Sequence, residues 1–200
     1  MPYLVRFLTA LAIGMCMSPA LALAADVSPV ITIGTQEVGL TAGYMIGQRL
    51  TDEHVTNQQG PVLMPSWMIT VTDPVGHSWF RGQFSIGAEV VYLQFREPIV
   101  THGIGFTPKI KYTFVGLDNI RPYLEFAGGP FWTDLAGNIP EESVEFNFIL
   151  SAGIGISWFI TPQWSLNVGY RFQHISNAGI EYPNIGLNAN LPFGGFSFYF

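Results

Sequence analysis

Downstream of residue 24 the chain alternates apolar and polar positions with a period of two. In residues 144–158 one parity holds Val144, Phe146, Phe148, Leu150, Ala152, Ile154, Ile156 and Trp158, and the other holds Glu145, Asn147, Ile149, Ser151, Gly153, Gly155 and Ser157. In residues 80–95, Phe80, Phe84, Ile86, Ala88, Val90 and Tyr92 oppose Arg81, Gln83, Ser85, Gly87 and Glu89. In residues 106–114, Phe106, Ile110, Tyr112 and Phe114 oppose Lys109, Lys111 and Thr113. Successive side chains of a β-strand point to opposite faces, so each run presents one greasy face and one polar face. The i, i+3, i+4 spacing of an amphipathic helix fits none of them. The pattern predicts strands near residues 37–50, 62–72, 79–95, 103–115, 122–133, 144–159, 164–177 and 186–200.

The connectors are of two kinds. Residues 73–78, 116–121 and 160–163 carry the Pro, Gly, Asn and Asp of tight turns, whereas 50–61, 96–102, 134–143 and 177–185 are longer or more polar. Eight antiparallel strands close a small barrel, and short turns at one end with longer loops at the other are the habit of an outer-membrane barrel. The expected fold is therefore all-β: an eight-stranded antiparallel transmembrane β-barrel with a filled polar interior. Strand 186–200 must lie against both 164–177 and the first strand, because a barrel leaves no free edge.

Composition supports a membrane setting. Hydrophobic residues make up 48 % of the chain, aromatics 14 % and charged residues only 11 %, with mean hydropathy +0.31. Yet no downstream apolar run reaches the roughly 18 residues that a spanning helix needs. An exported, apolar chain without such a helix points to a barrel. Arg6, the apolar residues 7–17 and Ala22-Leu23-Ala24 read as a secretory signal cleaved before Ala25, leaving residues 25–200 as one barrel domain. Cys16 is the sole cysteine and lies within that signal, behind a poor lipobox. The mature chain then has no disulfide, thiol nucleophile or thiolate metal site. The net charge of −6, one unit more negative once Arg6 is removed, argues against a nucleic-acid partner.

The polar parity places Arg81, Lys109, Lys111 and Arg171 inside, with Glu89, Glu125 and Glu145. Charges so nearly balanced predict a salt-bridged plug rather than an open pore. Trp67, Trp79, Trp132, Trp158 and Trp164 fall near strand ends, as an aromatic girdle would. Phe196, Phe198 and the terminal Phe200 share one face. That ending resembles the signal by which outer-membrane barrels are recognised by the barrel assembly machinery.

The chemistry centres on residues 170–179. His174 and Ser176 share a face with Leu166, Val168, Tyr170 and Phe172. A serine hydroxyl is a weak nucleophile until a base takes its proton, and a histidine titrating near neutrality suits that task. At i, i+2 on a strand the side-chain bases stand about 6.5–7 Å apart, a gap an imidazole can lean across. With both termini in the periplasm, odd strands run outward, which sets this pair at the outer end, facing the lipopolysaccharide leaflet. The competing reading is of ordinary interfacial residues. His54, His77 and His102 lie in connectors and are expected to be solvated. No His/Asp/Glu spacing calls for a metal, and no motif calls for a cofactor.

His174-Ile175-Ser176-Asn177-Ala178-Gly179, followed by Pro183-Asn184-Ile185-Gly186, resembles the lipid A 3-O-deacylase (PagL) family. The motif match spans roughly residues 170–190. The resemblance implies a serine esterase of the bacterial outer membrane that removes the 3-O-linked acyl chain of lipid A, with Ser176 as nucleophile and His174 as general base. Donors for the developing oxyanion would come from Asn177, Asn184 or the backbone near Gly179. The chain departs from the family at one position, where familiar members carry a glutamate and this chain has Asn188. Asn188 shares its parity with Asn190, Phe196, Phe198 and Phe200, and is expected to point outward beside His174. An amide oxygen can accept the imidazole N–H and fix the tautomer, although it cannot stabilise an imidazolium as a carboxylate does. Glu181 is the substitute acid if its loop folds back. The implied partners are lipid A, the membrane and the assembly machinery; a homodimer is compatible with the chain. Two alternatives stay open: a non-enzymatic barrel for adhesion or envelope integrity, and an acyl transferase, which would need an acyl pocket in an interior read here as charged.

Overall fold

The structure, a computed structural model, describes residues 27–200. The expected signal segment, its cleavage site and Cys16 lie outside these residues. Eight strands, β1 (Gln36–Gln48), β2 (Gln59–Thr70), β3 (Gly82–Phe95), β4 (Thr101–Phe114), β5 (Ile120–Thr133), β6 (Phe146–Phe159), β7 (Trp164–Ser176) and β8 (Leu187–Tyr199), form a closed barrel with every neighbouring pair antiparallel. β8 is bonded to both β7 and β1, which leaves no edge. Among the described residues no helix is long and apolar enough to cross a membrane. The crossing is made by strands, each hydrogen-bonded to a neighbour on both sides around the ring.

Alternation in sequence becomes alternation in burial. On β7, Ser165, Asn167, Arg171, Gln173 and Ile175 are buried inside while Trp164, Leu166, Val168 and Tyr170 are exposed outside. The five tryptophans are all exposed; Trp158 and Trp164 lie at the end with the short turns, and Trp132 at the end with the long loops. Several element limits differ from expectation. A 3-10 turn at Ser78–Phe80 occupies what the alternation reads as the start of a strand, so β3 begins at Gly82 and the connector is not tight. Residues 96–100 form a short link rather than a long loop.

The interior has two levels. Toward the short turns lies a closed set of ions. Arg171 reaches Glu89 (Nη1–Oε1 2.5 Å) and Glu125 (Nε–Oε1 2.5 Å), Lys109 bridges the same two carboxylates at 3.1 and 2.7 Å, and Lys111 pairs with Glu37. All six side chains are nearly inaccessible. The membership corrects the sequence reading in three places. Arg81 precedes β3 and is exposed, Glu145 precedes β6 and is exposed, and Glu37 at the start of β1 is inside. The set is thus three cations and three anions. Toward the long loops the interior turns apolar, with Met45, Leu93, Phe95, Phe131, Ile149, Ile175, Leu187 and Leu191, joined by Leu135 and Ile139 from the β5–β6 loop. An apolar core therefore lies behind the loop-side ends of β6, β7 and β8.

Candidate active site

β7 carries His174 and Ser176 outward at its last turn of alternation, both half-buried. Register decides their neighbours. Ser176 stands opposite Phe148 on β6, and His174 stands between Leu150 on β6 and Asn188 on β8. Directly opposed residues in an antiparallel pair share a face, so Asn188 points outward with His174. The His174 Nδ1 to Asn188 Oδ1 distance is 2.8 Å. An amide oxygen only accepts, so Nδ1 carries the proton and donates, leaving Nε2 bare.

The imidazole is fixed from a second side by Gly186, which has φ +75°. A Cβ there would stand 2.9 Å from His174 Cε1 and 3.4 Å from Nε2. Only glycine lets the chain pass this close in a left-handed conformation. Gly186→Ala is expected to displace the ring and to lower turnover well before it lowers barrel stability, as steady-state kinetics beside thermal unfolding would show.

The Asn-Ala-Gly segment builds the turn that follows. Ala178 and Gly179 have φ +55° and +79°. Asn177 Oδ1 accepts from Gly179 N–H at 2.9 Å, and Asn177 Nδ2 donates to Glu181 O at 2.9 Å and Ser143 Oγ at 3.2 Å. Asn177 N–H donates to Asn184 Oδ1 at 2.9 Å. The polar groups of Asn177 and the N–H of Gly179 are therefore engaged within the loops. The Asn184 NH2 has no hydrogen-bond partner among the described residues, and its carbonyl oxygen is held against the peptide that follows Ser176. Glu181 is exposed and lends this loop its backbone carbonyl; its carboxylate does not meet His174. Among the described residues no group of three or more His, Cys, Asp or Glu side chains is arranged to hold a metal.

One histidine expected to be solvated is not. His54, in the β1–β2 loop, is buried, with Nε2 3.2 Å from Asn188 Nδ2 and Nδ1 2.8 Å from Thr51 Oγ1. No local sequence signal points to it, since it lies 134 residues from Asn188. His77 is exposed as expected, and the exposed His102 hydrogen-bonds the Tyr92 hydroxyl at 2.6 Å.

The β5–β6 loop ties these pieces together. Glu141 accepts from Val55 N–H (2.9 Å), Thr56 N–H (2.7 Å) and Thr56 Oγ1 (2.7 Å), while its own backbone carbonyl accepts from Ile185 N–H at 3.2 Å. Burial works to raise its carboxyl, but those hydrogen bonds outweigh burial and hold it below the usual carboxylate range. Glu142, bridged to Asn184 through the backbone, is also buried, and both its oxygens lack hydrogen-bond partners among the described residues. Burial, and then the charge of Glu141, push it up to about 8. A raised carboxyl contributes its full stability below its ordinary value of 4.5 and loses it as pH climbs toward about 8. Glu142→Gln, which cannot ionise, is expected to flatten that slope. Amide hydrogen exchange in residues 134–145 and 177–186 across pH 5 to 8 checks it: the wild-type loops should lose protection with rising pH faster than those of the variant, after allowance for intrinsic exchange rates.

Around the pair the surface is apolar. Trp132, Phe146 and Phe148 make edge-to-face contacts with ring centroids 5.1 and 5.2 Å apart, beside Ser176. Leu150, Ile154, Val168 and Tyr170 continue the exposed greasy face below His174. A hydroxyl, a base with one bare nitrogen, an orienting amide and an acyl-compatible wall thus share one outward patch at the loop end.

Comparison with known proteins bears on this patch. Residues 36–191 match the family described as Lipid A 3-O-deacylase (PagL). The structure is similar to the outer membrane enzyme PagL, at TM-score 0.55 and 19 % identity, covering 81 % of this chain and 98 % of that one. It is similar also to Neisserial surface protein A, at TM-score 0.61 and 16 % identity, covering 84 % and 99 %. No curated protein sequence matches the chain significantly.

Proposed function

The chain belongs to the lipid A 3-O-deacylase (PagL) family and is a barrel of the bacterial outer membrane; from that premise we propose that it hydrolyses the 3-O-linked acyl ester of lipid A, with Ser176 as nucleophile and His174 as general base. The observation that carries the reading is the 2.8 Å contact of His174 Nδ1 with Asn188, because it leaves Nε2 as the base on the same face as the Ser176 hydroxyl. No hydrogen bond joins Ser176 Oγ to His174 among the described residues; hydrolases commonly close that bond only when substrate is seated.

The steps follow from these positions. Ser176 Oγ attacks the ester carbonyl carbon as its proton passes to His174 Nε2, and the carbonyl oxygen becomes an oxyanion. The Asn184 NH2 is the side-chain donor left to meet it. Collapse expels the sugar 3-hydroxyl, which takes the proton from His174, and leaves the acyl chain on Ser176. Water, deprotonated by His174, then releases the free acid and restores the serine. Asn188 keeps the imidazole in the Nδ1–H form, without the charge a carboxylate would lend. Trp132, Phe146, Phe148 and Leu150 supply an apolar bed for the acyl chain.

Purified barrel in detergent, given lipid A, is expected to release one hydroxy fatty acid per lipid A ester lost. Intact lipid A after prolonged incubation with folded barrel would defeat the proposal.

A further inference from the structure

We infer that His54 is a positioning residue of this site, which sets the tautomer of His174 through the side chain of Asn188; the inference rests on His174 being the base. The reasoning starts from what an amide is. A carboxylate accepts hydrogen bonds on both oxygens, so it serves a histidine N–H whichever way it is turned. An amide has one accepting end and one donating end, and turned over it would present N–H to His174 Nδ1. The imidazole would then hold its proton on Nε2, where it cannot take one from Ser176. A site that uses Asn188 therefore needs a second group to say which end faces His174.

His54 occupies that place. Asn188 is 9 % exposed and its Nδ2 lies 3.2 Å from His54 Nε2. The donor end of the amide meets the bare nitrogen of His54, whose proton on Nδ1 donates to Thr51 Oγ1 at 2.8 Å. The chain has one direction throughout: His174 Nδ1–H to Asn188 Oδ1, Asn188 Nδ2–H to His54 Nε2, His54 Nδ1–H to Thr51 Oγ1. A bare Nε2 on His54 and a protonated Nδ1 on His174 go together, and neither tautomer changes without turning Asn188 over. The placement of His54 is itself built. Glu141 takes three hydrogen bonds from Val55 and Thr56, which immediately follow His54, and so ties the β1–β2 loop to the loop beside Ser176.

The test uses variants of opposite polarity. His54→Gln keeps a group able to accept from Asn188; His54→Lys offers donors only and should turn the amide over. Each is made with Asn188 in place and again with Asn188→Glu, where both carboxylate oxygens accept and orientation no longer matters. The full-length barrel, labelled with 15N-histidine, is read in detergent micelles by long-range 1H–15N correlation for the His174 tautomer, and by kinetics on lipid A. With Asn188, His54→Lys is expected to move the His174 proton to Nε2 and to lower kcat by about a hundredfold with KM little changed, and His54→Gln to keep kcat within about tenfold. With Asn188→Glu, the His54→Lys loss should shrink to a few-fold. Two results would overturn the inference: an Nδ1–H His174 in the His54→Lys protein, or an equal loss of kcat in both backgrounds, which would mean that His54 only holds its loop. Because the tautomer is read without turnover, a failure of deacylase activity in the parent protein would leave this result intact and distinguishable.

Discussion

Ser176→Ala is expected to lower hydrolysis of lipid A by at least about a thousandfold, since on the proposed assignment it removes the nucleophile and leaves only what binding and oxyanion contacts supply. The barrel should be unaffected. Ser176 is the last residue of β7, half-buried, and its hydroxyl makes no hydrogen bond among the described residues that the change would break. The loss should lie in kcat, because the apolar wall of Phe148 and Leu150, proposed to hold the acyl chain, is untouched. A fluorophosphonate probe should label Ser176 in the parent and nothing in the variant. Labelling that survives Ser176→Ala, or turnover within tenfold of the parent, would move the nucleophile elsewhere.

The largest expected effect on stability lies deeper in the barrel. Arg171 is 1 % exposed and forms ion pairs with Glu89 and Glu125. Arg171→Leu would leave two buried carboxylates to Lys109 alone, and breaking one partner out of such a set costs about 3–5 kcal/mol. Guanidinium unfolding from lipid vesicles should show the loss, and adding Glu89→Gln to Arg171→Leu should recover part of it. An unchanged unfolding midpoint would mean that the interior ions are not mutually dependent. Arg171 sits three residues before His174 on the opposite face of β7, so the fraction that stays folded should hydrolyse lipid A normally.

The barrel was legible in the sequence because alternation is a local property. Residues 144–158 read as a strand with Phe148 and Leu150 outside, and β6 has that parity. The His174–Asn188 pair was legible too, since parity on two consecutive strands puts both on one face and the register makes them neighbours. What escaped was whatever depends on where a ladder stops or how a loop folds. The alternation passes smoothly through Glu145, yet pairing begins at Phe146 and Glu145 is left outside the ion set. Glu37 stands so near the start of its strand that alternation says little of it, but it pairs with Lys111. His54 could not be found, because its place beside Asn188 is set by a loop that Glu141 secures from far along the chain. Asn177 and Gly179 read as oxyanion donors by proximity to Ser176, while the turn they build engages the groups concerned.

The fold does not choose the function. The same eight strands are shared with an enzyme and with a surface protein, the latter at the higher TM-score. The case for hydrolysis rests on the family match together with a patch in which a hydroxyl, an imidazole held by Asn188 and an apolar wall share one outward face at the loop end. The most direct measurement is the mass spectrum of lipid A from cells that express the chain. Lipid A lighter by one hydroxyacyl chain from position 3, restored to full mass by Ser176→Ala, is the expected result. Lipid A of unchanged mass, in cells where the folded barrel is recovered from the outer membrane, would contradict the assignment.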